Sequence, residues 1–122
     1  MDQFRDKGET PGVRLKIYVR EDMIGGGKVE LLSRLAEHGS VAAAAASMGM
    51  NHERAWFLLD TLQRCFDGAL HDAQPGAEAE AAEVTPLGRE LIERFEAHRA
   101  TVEAASADFV DWLTERQRSR DD

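Results

Sequence analysis

The stretch HGSVAAAAASMGMNHERAWFLLDTLQRC, His38 to Cys65, decides the fold, because it sets a cap residue ahead of each of two apolar-patterned segments and a glycine between them. Ser40 carries a side-chain oxygen that can accept from an early helical N–H, Gly49 can take the left-handed backbone that ends a helix, and Asn51 repeats the cap. Two helices joined by a tight turn are predicted, from about Val41 to Met48 and from about His52 to Phe66. In the second, Ala55, Leu59, Leu62 and Phe66 recur at increments of four, three and four, the stripe of a core-facing helix. Trp56, Phe57 and Leu58 widen its apolar arc beyond what one core contact requires, so a second surface must cover them.

Upstream, VRLKIYVR (residues 13–20) alternates strictly, with Val13, Leu15, Ile17 and Val19 on one face and Arg14, Lys16, Tyr18 and Arg20 on the other. That period of two predicts a half-buried strand. Gly25, Gly26 and Gly27 follow, without the spacing or the Lys-Ser/Thr ending of a phosphate-cradling loop, and are read as a turn and helix entry. Val29, Leu31, Leu32, Leu35 and Ala36 then give helical spacing from Lys28 to Glu37. Downstream, ALHDAQPGAEAEAAEV (residues 69–84) holds the turn signal Pro75-Gly76 and predicts a short hairpin with a loose tip. Thr85-Pro86 predicts the start of a long last helix, with Leu87, Leu91, Ile92 and Phe95 on its stripe, continued by Val102, Phe109, Trp112 and Leu113 after a break near Ser106.

The chain has 122 residues, 43% of them hydrophobic, enough for one domain with its own core. No apolar run approaches the roughly 20 residues that span a bilayer, and the polar opening MDQFRDKGETPG lacks the apolar stretch of a secretory signal. One cysteine, Cys65, excludes an intramolecular disulfide and suits a reducing compartment, so a cytoplasmic location is expected. His38, His52, His71 and His98 have no metal-ligand spacing, and no nucleophile elbow or paired acid and base is present. No enzyme activity, catalytic residue, metal or cofactor is expected.

The order strand, three helices, hairpin, long helix is that of a mainly α winged helix-turn-helix domain with a small β component. The runs Gly39-Ser40-Val41, Met48-Gly49-Met50, Arg54-Ala55-Trp56 and Val84-Thr85-Pro86-Leu87-Gly88-Arg89-Glu90-Leu91 resemble the N-terminal DNA-binding domain of ModE-type molybdate-responsive regulators, and more distantly the LysR-type headpiece. The resemblance implies a homodimeric regulator of transcription with double-stranded DNA as partner, without the oxyanion-binding modules of full-length members. The helix opening at Asn51 would read DNA and the Leu70 to Thr85 hairpin would be the wing. Asn51, His52, Arg54, Phe57 and Arg64 are the expected DNA contacts. Trp56, Leu58, Phe109, Trp112 and Leu113 are the expected dimer interface. The domain would run over residues 13–104, between a flexible arm (1–12) and a helical extension with a frayed tail (105–122).

Charge adds a second expectation. Lys and Arg number 15 against 23 Asp and Glu, a net charge of −8, and the segment between Arg64 and Arg89 contains no lysine or arginine and holds Asp67, Asp72, Glu78, Glu80 and Glu83. An acidic wing repels phosphate, so the alternative is a protein-interaction module that kept the winged helix and lost DNA affinity. The remaining cations are scattered along the chain: Arg14, Lys16 and Arg20 on the strand, Lys28 and Arg34 on the first helix, and Arg116, Arg118 and Arg120 in the tail. Sequence alone leaves open whether they meet.

Overall fold

The structure, a computed structural model, describes residues 12–117. Strands β1 (Lys16–Val19) and β2 (Asp22–Gly25) form an antiparallel hairpin in which Tyr18 faces Met23 and Lys16 faces Gly25. Arg20, at φ +57°, takes the left-handed backbone that closes its two-residue turn. Helices α1 (Gly26–His38), α2 (Val41–Ser47), α3 (His52–Gln63) and α4 (Pro86–Glu115) follow.

The helix ends obey local chemistry. Ser40 Oγ accepts from Ala43 N at 3.1 Å, Asn51 Oδ1 from Arg54 N at 2.8 Å and Thr85 Oγ1 from Gly88 N at 3.1 Å. Each satisfies one of the donors that a helix start leaves without an intrahelical partner. Gly39 (φ +82°) and Gly49 (φ +67°) end α1 and α2 in the left-handed region.

The core is built on α1, where Val29, Leu31, Leu32 and Leu35 are fully buried. Ala44 and Ala45 let α2 approach closely, Ala55, Leu59 and Leu62 bring in α3, and Leu70 and Val84 close the base. Each buried leucine contributes about 2 kcal/mol of hydrophobic stabilisation. α4 has 30 residues, about 45 Å of helix, but buries only Gly88 and Phe95. Within α4, Arg99 pairs with Glu96 and, at 3.3 Å, with Glu103, and it lies in the field of Glu30 on α1.

Several expectations need correction. The winged helix-turn-helix is overturned: the fold is mainly helical with only a two-stranded sheet, which precedes α1, and residues 69–84 form no strand. They make one isolated bridge, His71 to Val84. The alanine and glutamate run has low strand propensity, and its backbone is tied to the α1–α2 junction, with Ala42 N of α2 donating to Glu78 O and Ala82 N to the O of Gly39, the C-cap of α1, both at 2.8 Å. A segment tied to that junction at two points cannot project as a wing. Gly25, read with Gly26 and Gly27 as a turn and helix entry, ends strand β2 (Asp22–Gly25), in which Met23 and Ile24 have partners in Tyr18 and Ile17. α4 runs through Ser106 without a break. The expected arm, up to residue 11, and the tail beyond residue 117 lie outside the described residues.

Candidate functional site

Folding brings together four cations that are far apart in sequence. Arg14 from the segment before β1, Lys16 from β1, Lys28 from the first turn of α1 and Arg54 from α3 line one cleft of about 210 Å³, with Gly25, Gly26 and Gly27 as its backbone wall and Met23 and Leu58 as its apolar floor. No carboxylate lines it, in a chain with 23 acidic residues. The wall is also the start of α1. Gly25, the N-cap, supplies no side-chain acceptor, and no acidic residue stands in the first turn. The first N–H groups of α1 therefore present the positive end of the helix dipole without a capping side chain.

Lys28 sharpens this. It is 8% exposed, and its Nζ donates to Met23 O at 2.7 Å, yet it forms no ion pair among the described residues. A buried ammonium at the positive end of a helix is unfavourable unless an anion compensates it. Arg54 reaches the cleft from the exposed side of α3, its guanidinium 5.7 Å from the Phe57 ring centroid. Arg14 donates to the Val13 carbonyl oxygen at 3.5 Å. The arrangement offers charge-assisted donors and close backbone approach, which fit a compact anion.

Four of the expected α3 contacts lie on its exposed first turns and the fifth at its far end. Asn51 spends its side chain on the cap, His52 is exposed, and Phe57 is 56% exposed under Arg54. Arg64 lies at the far end of α3, 3.7 Å from Asp22, in a larger cavity of about 570 Å³ whose lining also holds Glu21 and Asp67. There the cations already face carboxylates. Cys65 lies in the same cavity; burial pushes its thiol up from the ordinary value, with Asp22 adding and Lys28 opposing. Of the expected dimer surface, Leu58 is 5% exposed and belongs to the core, and Trp56 is covered by the chain's own residues 71–78 through Glu78 and His71. Phe109, Trp112 and Leu113 are exposed on α4. Among the described residues no group of three or more His, Cys, Asp or Glu could hold a metal ion, and no helix is long and apolar enough to cross a membrane.

The sequence reading missed the cleft because its cations sit on three elements and share no motif. The one local signal was Lys28 placed directly after three glycines, on the unfavourable end of a helix.

Comparison with known proteins redirects the functional reading. The chain is 37% identical over 73 residues to the molybdenum-pterin-binding protein MopA of Rhodobacter capsulatus, covering 59% of this chain and 28% of that protein. It is 31% identical over 80 residues to the molybdenum-pterin-binding protein MopB of the same organism, covering 65% of this chain and 30% of that protein. This chain thus spans less than a third of the length of either relative. No family model matches. Both relatives are named for binding a molybdenum pterin and neither for binding DNA. That overturns the resemblance to ModE-type regulators, the expected activity in transcription, its protein-interaction alternative, and double-stranded DNA as partner.

Proposed function

We propose that this chain binds a molybdenum-pterin ligand by its anionic end, in the cleft at the start of α1, as a binding function without a catalytic step. The observation that carries the reading is the convergence of Arg14, Lys16, Lys28 and Arg54 on a cleft with no carboxylate in its lining, in a chain of net charge −8. Such a cleft gathers an oxyanion from water while the rest of the surface repels it, and its attraction is partly desolvated at Lys28. The names of the two relatives supply the ligand class.

The size of the cleft sets what enters it. About 210 Å³ has room for an oxyanion head, a molybdate or phosphate group. Arg54 can offer two parallel donors to one oxyanion, Lys16 and Lys28 act as compact charges, and Gly26 and Gly27 let the anion approach the helix N–H groups. The residues present fit the group.

Titration calorimetry of the full chain with sodium molybdate and with a synthetic pterin bearing a terminal phosphate tests this. Saturable one-to-one binding of at least one anion is expected at low salt, weakening as salt is raised. Lys16→Ala and Arg54→Ala, both at exposed positions, should each weaken it about 10-fold, the scale of one charge-assisted hydrogen bond. No saturable binding to the parent chain, or binding unchanged in both variants, sinks the reading.

A further inference from the structure

We infer that the cleft at the start of α1 is a proton filter: it takes a tetrahedral oxyanion that carries no O–H and rejects one, such as hydrogen phosphate, that must itself donate. This rests on the anion cleft proposed above and concerns what that cleft refuses. Its lining is two arginines, two lysines, two leucines, one methionine and three glycines. Ionised arginine and lysine donate and cannot accept, leucine and glycine side chains do neither, and a thioether accepts only weakly. The lining thus holds no side-chain oxygen or ring nitrogen that could receive a proton from a ligand.

The backbone wall does not make up the lack. Gly25 caps α1 and Gly26, Gly27 and Lys28 open it, so their carbonyl oxygens are spent along the helix on N–H groups four residues on, while the first N–H groups have no partner inside it. Met23 O, on the same lining, already accepts from Lys28 Nζ at 2.7 Å. Lys28 is more than nine-tenths buried, and the other two N–H donors of its ammonium have no partner among the described residues. An anion whose oxygens are all bare satisfies such donors. One that carries an O–H turns a proton toward other protons and leaves a donor unpaired on both sides, a loss of about 10-fold or more in affinity. The four cations attract both kinds of anion alike, so the missing acceptor, and not the charge, makes the distinction.

Titration of the full chain at pH 8 and low salt with sulfate, methyl phosphate and inorganic phosphate decides it, because all three carry about two negative charges there and only inorganic phosphate keeps an O–H. Sulfate and methyl phosphate should bind, and inorganic phosphate should bind about 10-fold or more weakly than either. Arg54→Gln and Arg54→Met lose the same charge, but only glutamine brings an acceptor oxygen. Both should weaken sulfate, with the preference over inorganic phosphate kept in Arg54→Met and cut to about 3-fold or less in Arg54→Gln. Inorganic phosphate bound as tightly as methyl phosphate overturns the filter and leaves the cleft standing. Methyl phosphate bound as weakly as inorganic phosphate, or molybdate bound and none of the three, does the same by making size the criterion, and so does an equal preference in the two Arg54 variants. If the parent binds none of the three and no molybdate, the cleft fails and the filter with it.

Discussion

Trp56 donates its indole N–H to Glu78 Oε1 at 3.1 Å, across 22 positions of sequence, and so ties the acidic segment to α3. The same carboxylate oxygen accepts from Gly76 N at 3.1 Å, and these bonds, with one from its own backbone N–H, hold the Glu78 carboxyl below its ordinary value. A carboxylate spent in this way closes its own loop. Glu78→Gln should lower the thermal midpoint and make backbone amides of residues 72–83 exchange faster, whereas Leu59→Ala, in the fully packed core, should cost about 2–5 kcal/mol. Hydrogen exchange unchanged in the Glu78 variant would remove this tie from the account.

His71 makes that segment sensitive to acid. Burial lowers its value from the ordinary 6.5, against an opposing pull from Asp72 and Asp60, and its Nδ1 accepts from Ala73 N at 3.1 Å, which requires the neutral ring. The unfolded chain therefore takes up the proton first. Stability is complete above about pH 6.5 and falls as the pH drops below it, through the lower folded value. Urea midpoints measured between pH 7.5 and 5 should decline on the acid side, and His71→Asn, which keeps an acceptor for Ala73 N, should flatten that window. Equal slopes in parent and variant would assign the decline to other groups.

At Gly88, α4 packs tightly against the chain at Leu70 and Val84. A Cβ there would press into the Leu70 carbonyl oxygen and stand 2.5 Å from Val84 Cγ1. Neither is the free end of a long side chain, so α4 would have to move. Gly88→Ala should destabilise by about 1–3 kcal/mol although alanine is the better helix former. A denaturation midpoint at or above that of the parent would refute the packing.

Lys28 should separate stability from binding. Its ammonium is buried at the positive end of α1 with one carbonyl partner, so Lys28→Met removes a repulsive charge while keeping most of the side-chain volume. The expected outcome is no loss of stability, with a gain of up to about 1 kcal/mol, together with oxyanion affinity at least 10-fold weaker. A marked loss of stability in this variant would make Lys28 a structural residue.

Much of the helical framework was legible because its signals are local. Ser40, Gly49, Asn51 and the Thr85-Pro86 pair act within one turn of their own position, and each stands where its side chain or backbone freedom predicts. The course of residues 69–84, expected to form a wing, was not legible. The turn signal at Pro75-Gly76 is real, with Gly76 at φ +88°, but whether two flanking segments pair with each other or dock on a neighbour depends on surfaces that no local pattern describes.

The same division holds for the site. By itself the sequence determined the capped starts of α2, α3 and α4, the alternation that gives Lys16 and Tyr18 one face of β1, and the apolar stripes that bury Leu32, Leu35, Leu59 and Leu62. Tertiary structure alone decided that Lys28 is buried, that Arg54 on α3 comes to the same cleft as Lys16, and that Arg64 on the same helix goes to Asp22 instead. The physical reason is range. Capping and periodicity act over a few residues, whereas the meeting of charges from separate elements follows from how helices and hairpin pack around the α1 leucines.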